Sequence, residues 1–286
     1  MPTLKAIRRR IASVKSTQQI TRAMKLVAAA RLRRAQESLV NSAPYHESLK
    51  EIAASVLRAE SSVLAPPENA APGALLIVVS SDRGLCGGYN ANLIRKAEEE
   101  AKRLRGEGLE VRLFAVGRKS LDHFRRTRQS AVGEKINNTP RLATVGLARE
   151  LAARMLSEYQ SGQVRQAGIV YTVFRSALSQ RPTFERLLPV EPPGAEAAQG
   201  IEYLMEPSRA GLIPLVVRSY LESSVFHALL EAEASEQGAR MTAMESATNN
   251  AADMIQRLTL EMFRARQATI TRELMDIVGG AEALRG

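Results

Sequence analysis

Large rings, thiols and long apolar runs are all scarce. There is no tryptophan among the 286 residues, and aromatic residues make up only 4%. A core this poor in rings implies many contacts between helices through Ala, Leu and Met. One cysteine excludes an intramolecular disulfide framework and fits a reducing compartment. Three scattered histidines, with no H-E-x-x-H pattern, offer no metal constellation. No apolar run approaches the roughly 18–20 residues needed to span a bilayer, and the N-terminus lacks the apolar stretch of a secretory signal. Acidic residues are missing from residues 1–36, which hold ten Lys/Arg before the first acid, Glu37. The net charge of +10 is therefore concentrated in one arm and the rest of the chain is close to neutral. Such an arm points to an acidic partner, a nucleic acid or an anionic membrane. Its composition also fits a transit peptide, but the helical pattern runs on past Glu37 with no cleavage-like break.

What is present is two long helical patterns at the chain's ends. Leu4, Ile7, Ile11 and Val14, then Met24, Ala28, Leu32, Ala35 and Leu39, form a narrow stripe with steps of three and four. Between them the seam positions Gln18 and Thr21 are polar, and a register shift is expected there. Pro44 interrupts the pattern, which then resumes up to Pro66-Pro67. About 55 helical residues would run roughly 80 Å. Near the other end the stripe is Met241, Met244, Thr248, Ala251, Ile255, Leu258 and Met262, shifting to Ile270, Leu274, Ile277, Ala281 and Leu284. No proline follows Pro214. Gly279-Gly280 would weaken the last turn by roughly 1 kcal/mol each relative to alanine.

The middle reads differently. Residues 74–81, 110–117 and 166–174 are β-rich apolar runs, read as buried strands, with helices predicted over 92–105, 119–126 and 143–159. That alternation implies βαβ units on a parallel sheet. Residues 181–190 are a candidate edge strand, since their prolines argue against a central one, and 191–200 read as a loop. The expected fold class is α/β: a long antiparallel coiled coil of N- and C-terminal helices with an inserted Rossmann-like α/β domain. The expected boundaries are 1–60 for the first helix, 73–207 for the α/β domain and 208–286 for the last helix. An antiparallel pair within one chain is the simplest way to cover both stripes, because the ends of a compact insert can lie close together.

One motif invites an enzymatic reading. Gly84-Leu85-Cys86-Gly87-Gly88 follows the first strand and has the nucleophile-elbow pattern with cysteine in place of serine. Such an elbow needs a histidine on a loop after a later strand. His46 precedes the first strand, while His123 and His227 lie in predicted helices. The geometry favours a structural turn, with Gly84, Gly87 and Gly88 permitting tight backbone and Cys86 as a small buried filler. The glycine spacing is not that of a dinucleotide loop, and "VGRKS" lacks the first glycine of a P-loop, so no nucleotide, metal or other cofactor is expected. The basic arm shares its helix with the apolar seam, leaving two readings: a solvated coiled-coil flank or an electrostatic contact with an acidic protein.

Residues 11–36 ("IASVKSTQQITRAMKLVAAARLRRAQ"), 80–93 ("SSDRGLCGGYNANL") and 245–284 resemble the gamma subunit of rotary F-type ATP synthases, in order and in spacing. The resemblance implies a non-catalytic central rotor stalk that couples ion flow through the membrane ring to ATP synthesis or hydrolysis at the beta subunits. It implies alpha, beta and epsilon subunits and the c-ring as partners, no nucleic acid, and peripheral attachment at the cytoplasmic face of a bacterial inner membrane. Contacts with the beta subunit's catch loop fall, by the same resemblance, in two places: Met24 and Lys25, and Arg240 together with Gln267, Thr271 and Glu273. Two rivals make different demands. A dimeric coiled-coil DNA-binding protein needs parallel helices, and a cysteine hydrolase needs a base beside Cys86.

Overall fold

The computed structural model describes residues 3–58, 66–67, 70–127, 131–132, 143–190 and 209–283. The elements run α1 (Leu4–Arg58), β1 (Gly73–Val79), α2 (Tyr89–Gly106), β2 (Glu110–Val116), α3 (Arg118–Arg126), β3 (Ala131–Val132), α4 (Val145–Gln160), β4 (Gln166–Phe174), β5 (Gln180–Leu188) and α5 (Arg209–Ala283). Two compact units divide them: Ala28–Arg240, and the chain ends Met1–Val27 with Met241–Gly286. The loop read at 191–200 and Leu284 of the final stripe lie outside the described residues.

In the larger unit a five-stranded sheet has the order β3-β2-β1-β4-β5. β1 lies parallel to both β2 and β4, β3 lies parallel to β2, and β5 returns antiparallel to β4 as a hairpin. Every residue of β1 is buried, the condition that turns a parallel strand into an unbroken apolar run. The pleat divides that run between two cores. Leu75, Ile77 and Val79 face α4 and α5, through Leu151, Met155, Leu221, Val225 and Leu229. Ala74, Leu76 and Val78 face α2 and α3, through Leu93, Ala97, Leu121 and Phe124. Pro182 is tolerated because β5 is the edge strand, where a missing N–H breaks no ladder. Thr144 caps α4 by accepting a hydrogen bond from Leu147 N at 3.3 Å.

Both terminal helices run through the residues that could have broken them. α1 passes through Pro44, which lies on its exposed side, while the half-buried positions Leu39, Ser42, His46 and Leu49 keep the three-four step. The proline removes one backbone hydrogen bond but not the stripe. Likewise α5 starts before Pro214 and continues through Gly279 and Gly280. Also in the larger unit, the imidazoles of His46 on α1 and His227 on α5 stack with centroids 4.6 Å apart and planes 4° from parallel. His46 Nδ1 lies 3.1 Å from Ser223 Oγ, and a cavity of about 240 Å³ adjoins the pair, lined in part by Tyr45, Arg149, Glu222 and Phe226.

In the smaller unit α1 and α5 pair antiparallel. Thr248 Oγ1 donates to Thr21 Oγ1 at 2.8 Å, and Lys25 Nζ meets Glu245 Oε1 at 2.6 Å. The seam runs through Ile7, Ile11, Val14, Gln18, Thr21 and Met24 without the expected shift, because the two threonine hydroxyls bond each other and the Gln18 and Met244 carbonyls of their own helices where apolar side chains would otherwise meet. Met244, Ala251 and Leu258 supply the buried positions of α5. In this register Leu4, the first residue of α1, falls opposite residues 265–266, and every described side chain from 266 to 281 is exposed. The second apolar stripe, at Ile270, Leu274 and Ile277, thus has no cover among the described residues.

Candidate partner contacts and the glycine-rich turn

The turn after β1 is built by polar side chains reaching backbone. Ser81 N donates to Asn90 Oδ1 at 3.1 Å, and the Ser81 hydroxyl donates to the Arg83 carbonyl at 2.7 Å. Asn90 Nδ2 donates to Ser81 Oγ at 2.8 Å and to Cys86 Sγ at 3.1 Å. Beneath this, Ser80 and Ser120 hydroxyls lie 2.8 Å apart, both fully buried. Asp82 Oδ1 accepts from Arg118 N at the start of α3, the usual place for an acceptor at a helix N-terminus.

Cys86 is 1% exposed, and burial pushes its thiol above the ordinary range. The hydrogen-bonding groups beside it are Ser81, Asn90 and the Arg83 carbonyl. His46 and His227 are stacked on each other, and His123 Nε2 lies 2.8 Å from Glu98 Oε1. A protonated thiol with no histidine on it lacks the activated nucleophile that a hydrolase needs. Among the turn's glycines, only Gly87 (φ 57°) takes a left-handed backbone. Leu85 (φ 65°) shares that conformation and exposes its side chain, which the glycine pattern did not foretell. A Cβ on Gly84 would meet nothing closer than Lys119 Cε at 3.9 Å, and one on Gly88 would meet the Asn92 amide at 3.2 Å. The strictest glycine stands nearby: at Gly117 (φ 93°) a Cβ would sit 2.1 Å from the Ser80 carbonyl oxygen.

The residues expected at a partner surface fall in different settings. Met24 lies half-buried in the seam and Lys25 half-exposed beside it, with Lys25 already paired to Glu245. At this exposure the ion pair contributes about 0–1 kcal/mol, so it can be exchanged for another at little cost. Gln267, Thr271 and Glu273 are exposed on the uncovered stretch of α5, where Thr271 Oγ1 donates to the Gln267 carbonyl one turn earlier. Arg240 belongs to neither group. It is 8% exposed, ion-paired to Glu236 at 2.6 Å, and donates to the carbonyls of Arg83 and Gly84 at 3.2 and 3.4 Å. Arg240 belongs to the larger unit and Gln267, Thr271 and Glu273 to the smaller, although the resemblance groups the four. Burial raises the Glu236 carboxyl, with Arg240 opposing the shift. Periodicity gave no sign of the His46–His227 stack or of the Arg240 dock, since each joins residues far apart in the chain.

An α/β sheet in one unit and antiparallel chain ends in the other define the class: a protein with an α/β unit inserted between paired helical chain ends. A family model described as ATP synthase matches residues 3–284. The chain is 44% identical to the ATP synthase gamma chain of Pelotomaculum thermopropionicum, over 99% of this chain and all of that one. It is 45% identical to the ATP synthase gamma chain of Moorella thermoacetica over the full length of both. The chain belongs to the ATP synthase gamma-chain family. Its structure is similar to a chain in the central stalk and c-ring assembly of Tetrahymena thermophila mitochondrial ATP synthase, with 27% identity, a TM-score of 0.59, and coverage of 80% of this chain and 99% of that one. The fold also matches a chain of the Euglena gracilis mitochondrial ATP synthase rotor, with a TM-score of 0.67 at 20% identity over 93% and 98% of the two chains.

Proposed function

We propose that this chain is the rotating central stalk of an F-type ATP synthase, with no active site of its own. The observation that carries the reading is the chain-end unit: two antiparallel helices locked in register at Thr21–Thr248 and Lys25–Glu245, continued beyond residue 265 by a single helix whose apolar stripe is uncovered among the described residues. Two helices wound together resist bending better than one, and an uncovered apolar tip requires a bearing supplied by other chains. Alpha and beta subunits would form that bearing, while epsilon and the c-ring would grip the α/β unit. The relatives' descriptions as gamma chain and central stalk support the assignment.

Coupling then needs no bond chemistry in this chain. A beta site whose affinity states prefer different stalk angles is driven through those states as the stalk turns. We assign the contacts to Met24, Lys25, Gln267, Thr271 and Glu273; Arg240 joins them only by leaving Glu236 and the turn. No helix among the described residues is long and apolar enough to cross a membrane, so attachment to the cytoplasmic face of the inner membrane would run through the ring. The test is co-expression with the matching alpha and beta subunits. The reading predicts a stable complex in which ATP drives rotation of a probe fixed to the α/β unit, and no ATPase activity in the chain alone. A chain that neither joins the complex nor turns in it would overturn the reading.

A further inference from the structure

Within the larger unit, α5 is held by two kinds of contact. Val225, Ala228, Leu229 and Ala232 pack into the sheet's apolar core. Such packing is non-directional, and a helix seated by it alone can roll or slide by small steps. Between Glu231 and Arg240 a second kind takes over, in which polar groups of α5 reach fixed points on the surrounding elements. Glu231 Oε2 accepts from Phe174 N at 2.5 Å and the Ser235 hydroxyl donates to the Thr172 carbonyl at 2.9 Å, both on β4. The Tyr89 hydroxyl on α2 donates to the Ala232 carbonyl at 3.3 Å. Glu233 accepts from Ala143 N, just before α4. Arg240, braced by Glu236, donates to the carbonyls of the glycine-rich turn.

The bonds end almost entirely on main chain, which cannot follow a rotating helix by changing rotamer. They come from four chain segments. Glu231, Ser235 and Arg240 are all at least nine-tenths buried, where directed hydrogen bonds are strong and costly to leave unmade. Gly238 lets the helix come close: a Cβ there would stand 3.1 Å from the Phe174 ring. We propose that Glu231, Ser235 and Arg240 form a torsional lock that fixes α5 to the sheet and its glycine-rich turn against both roll and axial slip. The torque-bearing use of this lock rests on the rotor reading; its existence does not. These are positioning residues, acting through the elements they hold.

The first measurement uses the isolated full-length chain in a Cys86→Ser background, with spin labels at exposed Leu215 on α5 and Lys102 on α2. The lock predicts a narrow distance distribution that broadens clearly in Glu231→Ala/Ser235→Ala. Glu231→Gln, which keeps an acceptor for Phe174 N, should restore the narrow width when Ser235 is intact. Leu229→Ala, a fully buried apolar truncation on the same helix, should lower the melting temperature without broadening the distribution. An unchanged width in the double variant, or equal broadening in Leu229→Ala, overturns the lock. The second measurement takes the same variants into the assembled complex and reads torsional stiffness from the angular fluctuations of a stalled probe. Loss of stiffness in the double variant alone supports the torque-bearing role, and equal stiffness in all variants overturns it. If the unmodified chain fails to turn, the rotor reading falls while the label widths still decide the lock.

Discussion

The two stretches of α5 do opposite things with the same backbone. Residues 213–240 bury almost every side chain that meets the sheet and finish in hydrogen bonds to main chain. Residues 241–265 bury one narrow seam against α1, and from 266 to 281 no described part of the chain covers them. The sequence marks the change in composition: Val, Leu and buried acids come first, then Thr, Met and Arg on an alternating surface. A helix therefore needs no break to pass from anchor to shaft. What changes is how much apolar surface it hides and whether its polar groups are aimed inward.

That contrast can be broken by experiment, beginning with the anchor side. Leu76→Ala empties a fully buried site under α2 and α3 and should destabilise by about 3 kcal/mol, read as a drop in the urea midpoint. Gly117→Ala should cost about 2 kcal/mol or more, since it forces both a left-handed alanine and a Cβ into the Ser80 carbonyl. In the seam, Thr21→Val removes the cross-helix partner of the Thr248 hydroxyl, which keeps the Met244 carbonyl at 2.7 Å, and should cost about 0.5 kcal/mol. Adding Thr248→Val should recover most of that loss, and a double variant worse than either single would show that the hydroxyl pair does more than satisfy itself.

A further effect is confined to acid. Burial, with His227 and Lys50 nearby, depresses His46 from its ordinary 6.5 to about 4. The folded state thus favours the neutral ring and the unfolded chain binds the proton more readily. The stability this group contributes is complete above about pH 6.5 and is lost as pH falls toward 4. Thermal melts at pH 7 and pH 4.5 should show a smaller acid loss in His46→Gln than in the unmodified chain. Smallest of all should be Ile277→Ala on the uncovered tip, within about 0.5 kcal/mol for the isolated chain. A larger loss there would mean that the tip is covered in solution.

The sheet's centre was legible because β1, β2 and β4 are buried enough to read as apolar runs, and β5 because its prolines belong on an edge. β3, with two residues, is too short to carry a pattern. The seam was legible as a stripe, but Thr21 read as a fault until its partner Thr248 was placed across from it. The absence of a base beside Cys86 could be argued from where the histidines fall in the chain. Arg240 could not be placed that way, because its setting depends on carbonyls more than 150 residues away. Of Gly84, Gly87 and Gly88, which the glycine pattern marks, only Gly87 is left-handed, and Leu85 beside it takes that conformation with no glycine to signal it.

The most direct test of the axle is a disulfide between its strands. Thr21→Cys with Thr248→Cys, in a Cys86→Ser background, places two thiols where hydroxyls now lie 2.8 Å apart. Mild oxidation should close the bridge within single chains, and the complex built on bridged chains should still rotate under ATP, because the two helices turn as one body. Bridges that form only between chains, or a bridged stalk that no longer turns, would contradict the account.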